Sequence, residues 1–384
     1  MMAKPLLHLA TCAAFLLTGV LVHLRVMAQP QPRQKIEVSK LGPQVGERVP
    51  DFSLKDQTGK TWTLPSIMGP KGAMLVFVRS ADWCPYCKTQ LVDLQTGVGE
   101  VRRRGLGIAT ISYDPPEILA GFAKQHGITY PMLSDVGSAT IKKFGLLNPV
   151  PEWALGPEKD DPAVQADVQK YVSVRQATAN MVGMAFPGNF ILDTQGRVES
   201  RSFEDSYIER NTVSSLLIKL GPAEAPVAAT KISTGHLDIT TYPSDPIVAP
   251  GDRFSVVVNI EPHAKMHVYA PGAKGYRVIK LGIAPDPQAR VLAPQYPESE
   301  IYWFKPLNER VPVFRRPFRL VQELVLEGTP QAQAALRGKD AVTVKGSLEY
   351  QACDDKECFN PVTIPLAWTM TLRSLVVERP VRQP

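Results

Sequence analysis

The stretch Arg79-Ser80-Ala81-Asp82-Trp83-Cys84-Pro85-Tyr86-Cys87-Lys88 constrains this chain more than any other. An apolar run over residues 73–78 leads into it, and a helix-patterned stretch over 88–104 leads out, with Leu91, Leu94, Val98 and Val101 at helical spacing. The order is strand, tight turn, helix. Cysteines at this spacing can close a disulfide at a helix N-terminus, where the macrodipole and free backbone N–H groups favour a thiolate at Cys84. Such a thiol is both a nucleophile and a good leaving group, and Cys87, one turn deeper, resolves the mixed disulfide. Zinc would call for a second pair or a histidine pair nearby, and neither follows within about sixty residues.

A distant stretch has the form that belongs beside such a pair: Ala185-Phe186-Pro187-Gly188-Asn189-Phe190-Ile191-Leu192-Asp193, followed by a Thr-Gln-Gly turn. Together the two motifs resemble the thioredoxin superfamily. Trp83-Cys84 matches its Trp-Cys, and Pro85-Tyr86 is the interior that glutaredoxins carry. The resemblance implies a cis peptide before Pro187, a costly feature that would expose backbone to a substrate polypeptide. It makes Trp83, Pro85, Tyr86, Phe186 and Pro187 the expected substrate-binding residues. Residues 49–54 with Asp56 and Gly59 resemble the opening of the redoxin branch, which includes the thiol-specific antioxidant (AhpC/TSA) proteins and the exported TlpA-type thioredoxins.

The chain has 384 residues, enough for two or three domains. Lys4 followed by a mostly apolar run to Leu24, with Val26-Met27-Ala28 as a small-residue cleavage site, reads as a signal peptide over 1–28. An uncleaved membrane tether is the rival, disfavoured by a run near the minimum span that contains His8 and His23. Export implies a bacterial periplasmic location and leaves Cys84, Cys87, Cys353 and Cys358 in two close pairs. A short loop gains little from a disulfide, so the pairs make more sense as redox couples than as staples. Removing Lys4 and Arg25 brings the formal charge from +6 to +4, and no Lys/Arg stripe beyond Arg102-Arg103-Arg104 points to nucleic acid.

Residues 29–45 read as a tether and 46–221 as the α/β thioredoxin-like domain. A hairpin over 52–64 opens it, and alternating strands and helices imply parallel pairing. Residues 148–183 exceed a minimal thioredoxin fold and carry an expected helix over 163–179. Ser206 and Glu209 form a capping box for a last helix reaching Leu220. Residues 222–232 read as a linker. In residues 233–375 helix signals nearly vanish, and strands are expected over 255–260, 267–270, 277–281, 318–327, 342–350 and 362–371, which suggests an all-β sandwich.

Tyr350-Gln351-Ala352-Cys353, an acidic spacer, Cys358 and Pro361 resemble the N-terminal periplasmic domain of DsbD, although the spacer is one residue shorter. That resemblance implies an immunoglobulin-like module passing electrons to thioredoxin-fold partners. It also implies an aromatic cap over the cysteines, for which Tyr302, Trp303 and Phe304 are the candidates. His263 and His267 lack a third ligand at metal spacing, and no cofactor is expected.

The favoured function is an exported thiol–disulfide oxidoreductase. Cys84 attacks, Cys87 resolves, and Cys353 with Cys358 forms a second dithiol. Electrons pass between the domains by direct exchange or to partners: thioredoxin-fold or DsbD-type proteins and disulfide-containing clients. A thiol peroxidase using Cys84 ranks below it, because Ala81, Phe77 and Pro187 stand where peroxiredoxins carry a hydroxyl residue, a proline and an arginine. A third reading is a redox-inactive adaptor that only binds partners.

Overall fold

The computed structural model describes residues 35–173, 176–218, 220–221, 228–304 and 308–381. The signal segment, Arg175 and most of the expected linker lie outside them. Val38–Pro384 form one compact unit.

The first half holds β1 (Ser53–Asp56), β2 (Thr61–Thr63), α1 (Leu64–Ile67), β3 (Gly72–Phe77), α2 (Pro85–Arg103), β4 (Leu106–Ser112), α3 (Pro116–His126), β5 (Met132–Ser134), α4 (Ala139–Lys143), α5 (Val150–Leu155), α6 (Pro162–Tyr171), β6 (Gly188–Leu192), β7 (Val198–Phe203), β8 (Arg210–Asn211) and α7 (Val213–Ile218). Seven strands form one sheet in the order β2-β1-β5-β4-β3-β6-β7. β3, β4 and β5 are parallel and the outer strands antiparallel. Every β3 side chain is buried, because the sheet is covered on both faces. Met74 and Val76 pack with Leu91, Leu94 and Phe122 of α2 and α3. Ala73, Leu75 and Phe77 pack on the other side with Leu64, Ile141 and Phe190. Gly72 starts β3 at φ +122°, and a Cβ there would lie 1.8 Å from the Leu192 carbonyl oxygen.

The second half holds β9 (Thr230–Ser233), β10 (Leu237–Pro243), β11 (Ile247–Val248), β12 (Asp252–Pro262), β13 (His267–Tyr269), β14 (Lys280–Ile283), β15 (Ala289–Val291), β16 (Glu300–Phe304), β17 (Glu309–Phe314), β18 (Phe318–Leu326), α8 (Pro330–Leu336), β19 (Ala341–Tyr350), β20 (Ala352–Cys353) and β21 (Val362–Leu372). One sheet runs β15-β18-β12-β10-β9 and a second β11-β21-β19-β14. Val256, Val258 and Leu320 from the first share a core with Val344, Leu366 and Trp368 from the second. The Trp368 indole donates to Thr241 Oγ1 at 2.8 Å across that core. A smaller sheet, β16-β17-β13-β20, carries Cys353.

Several expectations need correction. No peptide bond among the described residues is cis, so Phe186–Pro187 is trans. Phe186 N donates to Leu146 O at 2.8 Å, so the chain enters β6 already paired and extended, in the isomer that proline ordinarily prefers. The Ser206–Glu209 box caps no helix. Ser206 Oγ accepts from Ile208 N, while Arg210 and Asn211 pair with Asp252 and Arg253 of β12. Tertiary pairing thus overrides the local signal, and the helix begins six residues later, at Val213, with Thr212 Oγ1 accepting from Ser215 N. The inserted helix ends at Tyr171, well short of 179. β9 begins inside the stretch read as linker, and Thr329 with Pro330 starts a helix, α8, that the expected strands did not include.

Candidate active site

Cys84 is the N-cap of α2, and its sulfur accepts from Cys87 N at 3.2 Å. Pro85 occupies the first helical turn, where its missing N–H costs nothing. The turn before it is pinned by buried Asp114, which accepts from Ser80 Oγ, Ala81 N and Ser112 Oγ. Burial raises the Asp114 carboxyl, and these donors oppose that shift. Cys84 and Cys87 are joined as a disulfide, and both are fully buried. Asp82, Trp83 and Pro85 are the partly exposed residues around the disulfide.

Two buried arginines close on the sulfurs. Arg79 Nη2 lies 3.3 Å from Cys84 Sγ. Arg210 Nη2 lies 3.0 Å from Cys87 Sγ and 3.7 Å from Cys84 Sγ. Arg79 also donates to the carbonyls of Tyr171 and Val172, so its guanidinium caps the C-terminus of α6. The insertion thereby orients Arg79. Its guanidinium lies 5.0 Å from the Trp83 ring centre and 5.2 Å from that of Tyr207. Burial, with Arg210 adding to it, lowers Arg79 to about 9, and burial lowers Arg210 to about 10. Both stay charged at neutral pH.

Of the expected substrate-binding residues, Trp83 donates from its indole to Tyr113 Oη at 2.8 Å. Tyr86 is 7% exposed, and its hydroxyl donates to the Gly328 carbonyl of the second half at 2.8 Å. Phe186 and Pro187 are buried, Phe186 edge-on to Tyr171. Gly188, next to Pro187, pairs with Phe77 at the end of β3 that leads to the cysteines.

The last described residues form a strap along α2. Val376 N donates to Thr89 Oγ1, Lys88 Nζ donates to the Val377 and Glu378 carbonyls, and Arg373 pairs with Asp93. Arg379 Nε lies 3.8 Å from Asp82 Oδ1, beside Trp83.

The second pair is also a disulfide, with Cys353 buried and Cys358 exposed. Tyr269 Oη lies 3.5 Å from Cys358 Sγ, and its ring stacks on Tyr276 at 4.1 Å. Of the expected cap, Tyr302 packs against this cluster and lies 4.8 Å from His267. Phe304 lies 6.4 Å from Tyr302, whereas Trp303 points to the opposite face and is 49% exposed. Tyr269 and Tyr276 are the neighbours that sequence reasoning missed. His263 faces Asp238 at 3.3 Å, and among the described residues no three potential ligands gather as a metal would need.

The two pairs lie at opposite ends of the second half. β12 starts at Asp252, beside Arg210, and ends at Pro262. There His263 N bonds to His236 O, and the His236 ring lies 4.5 Å from Phe359, next to Cys358. That strand spans about 33 Å at ~3.3 Å per residue. The expected direct exchange between the pairs would have to cross that length within one chain.

Residues 45–201 match the AhpC/TSA family. The first half is an AhpC/TSA-type redoxin domain with a thioredoxin-like fold. Peroxiredoxin Bcp of Escherichia coli (strain K12) is 31% identical to the chain over 101 residues, covering 26% of this chain and 64% of the relative. Chloroplastic peroxiredoxin Q of Populus jackii is 32% identical over 101 residues, 26% of this chain and 46% of the relative. The chain thus spans less than two thirds of either. Among solved structures, peroxidoxin BcpB from Mycobacterium tuberculosis aligns over 43% of this chain and 89% of its own, at 22% identity and a TM-score of 0.33. The redoxin match ends before Arg210, and the β-rich half lies outside it.

Proposed function

We propose that the redoxin domain reduces a small hydroperoxide at Cys84. The Cys84 thiolate attacks one peroxide oxygen, the O–O bond breaks, and the departing alkoxide or hydroxide leaves with a proton as alcohol or water. Cys87 then displaces hydroxide from the Cys84 sulfenic acid, closing the disulfide, and an external dithiol reopens it. The observation that carries this reading is Arg79 Nη2 at 3.3 Å from Cys84 Sγ. A preorganised, buried donor there stabilises charge on the leaving oxygen. Arg79 and Arg210 supply donors at the sulfurs in place of the peroxiredoxin residues that Ala81, Phe77 and Pro187 replace. Buried sulfurs and a trans Pro187 suit a small oxidant better than a polypeptide disulfide. The names of the relatives agree with this ranking.

Thiol–disulfide exchange is the second reading, and exposed Cys358 favours it at the other pair. Here the β-rich half would be an immunoglobulin-like module similar to the N-terminal domain of DsbD, exchanging electrons with a thioredoxin-fold partner. Such exchange would run between molecules, given the separation of the pairs. A periplasmic location belongs to this proposal and rests on residues 1–28. The peroxidase reading predicts that a reduced Cys87→Ser variant, treated with equimolar hydrogen peroxide and dimedone, carries the adduct on Cys84. Peroxide consumption that persists undiminished in Cys84→Ser would overturn it.

A further inference from the structure

We infer that Arg210, held in place by the β-rich half, keeps Cys87 as a thiolate, so that the reduced site is a dithiolate. This rests on the reading of Cys84 and Cys87 as a redox couple. Each sulfur has its own guanidinium: Arg79 at Cys84, Arg210 at Cys87. Arg210 is 2% exposed, and its Nε has no hydrogen-bond partner. Its backbone is fixed from the second half, where Arg210 N donates to Gly251 O at 2.9 Å and Arg210 pairs with Asp252.

The ionisable groups facing the sulfurs and these cations are few. Tyr86 comes from α2, Tyr113 from the end of β4, and Glu204, Tyr207 and Glu209 from the segment before β8; Asp252 comes from β12. Glu204 is buried and spends one carboxylate oxygen on Asn211, and burial raises its pKa. Tyr86 is pushed up to about 12, again by burial first, and stays neutral. No carboxylate is among the groups acting on Arg79, and at Arg210 the pull of Glu204, Glu209 and Asp252 does not offset the cost of burial. Over a neutral disulfide the two cations are therefore short of counter-charge. Two thiolates supply it.

Reduction by a dithiol donor then breaks the Cys84–Cys87 bond, moves two electrons onto the sulfurs and releases the donor's two protons to solvent. Resolution needs no base, since the Cys87 thiolate attacks the Cys84 sulfenic acid directly, and the expelled hydroxide is neutralised to water by a proton from the buffered solvent that received the donor's protons. Arg210 lies outside the AhpC/TSA match, on a strand that the second half fixes through β12.

The test uses the full chain with Cys12→Ser, Cys353→Ser and Cys358→Ser to remove other thiols. Adding Cys84→Ser isolates Cys87, and thiolate absorbance near 240 nm is titrated from pH 4 to 9. The expected midpoint is below about 7. Arg210→Met should raise it by about one unit or more, and Arg210→Lys should restore part of the shift. A midpoint for Cys87 at or above about 8.5, that of an ordinary thiol, overturns the inference even if Arg210→Met does not fold. So does a midpoint that Arg210→Met leaves unmoved. Failure of the peroxidase reading would look different: no Cys84 sulfenic acid in Cys87→Ser, with the Cys87 titration unchanged.

Discussion

At the scale of single residues, the chemistry depends on what sits within 4 Å of two sulfurs. Arg79→Met should slow oxidation of Cys84 by hydrogen peroxide about 100-fold, the usual cost of losing one preorganised donor. Stopped-flow tryptophan fluorescence of the reduced protein measures it, and a loss below about threefold would assign Arg79 to structure alone. Cys84 and Cys87 are legible in the sequence because local spacing and the helix they start define them. Arg79 is legible as a neighbour but reads as an ordinary strand-end charge. Arg210 is not legible at all: it reaches Cys87 from 123 residues away, through a pairing with β12 that no local pattern encodes. Pro187 shows the opposite error, where a correct strand motif suggested a bond isomer that the neighbouring pairing does not support.

At the scale of elements, α2 is where the site and the strap meet. Lys88 is 2% exposed because residues 377–378 cover it, and its ammonium is held by two carbonyls. Lys88→Ala leaves both acceptors without their donor and frees the strap to lift. The Cys84–Cys87 disulfide should then be reduced faster by dithiothreitol in native buffer, by about tenfold if strap opening limits access. An unchanged rate would show that access runs past Trp83 independently of the strap. Most first-half elements follow from periodicity and Gly/Pro punctuation, α3 ending at Gly127 in the left-handed region among them. The second half is legible as strands, since five of its long runs alternate or are apolar. Which strands pair is not, because β-ladders join residues far apart in sequence.

At the scale of the whole molecule, the two halves are fused through buried polar contacts. Asp93 of α2, Asp245, Asp252 of β12 and Arg373 gather where they meet. Burial pushes Asp93 up to about 7 against the pull of Arg373, with Asp245 adding to the rise. The native carboxyl therefore keeps its proton to about pH 7, while the unfolded one loses it near 3.8. Between those values the native state binds more protons, so stability falls as pH rises. The melting temperature should drop between pH 5 and 8, and Asp93→Asn should flatten the drop; parallel profiles for the two proteins would remove Asp93 from the account. The two disulfides also lie toward opposite ends of β12, a strand of about 33 Å, which favours a redoxin site that works on what reaches it from outside the chain. The most direct measurement is therefore a competition: the fully reduced protein is mixed with equal concentrations of hydrogen peroxide and a protein disulfide, and closure of Cys84–Cys87 is followed by stopped flow and peptide mapping. The account predicts that peroxide is consumed first, at a rate far above that of free cysteine, and that Cys84→Ser abolishes this. Faster oxidation by the protein disulfide, with peroxide reacting no faster than a free thiol, would contradict it.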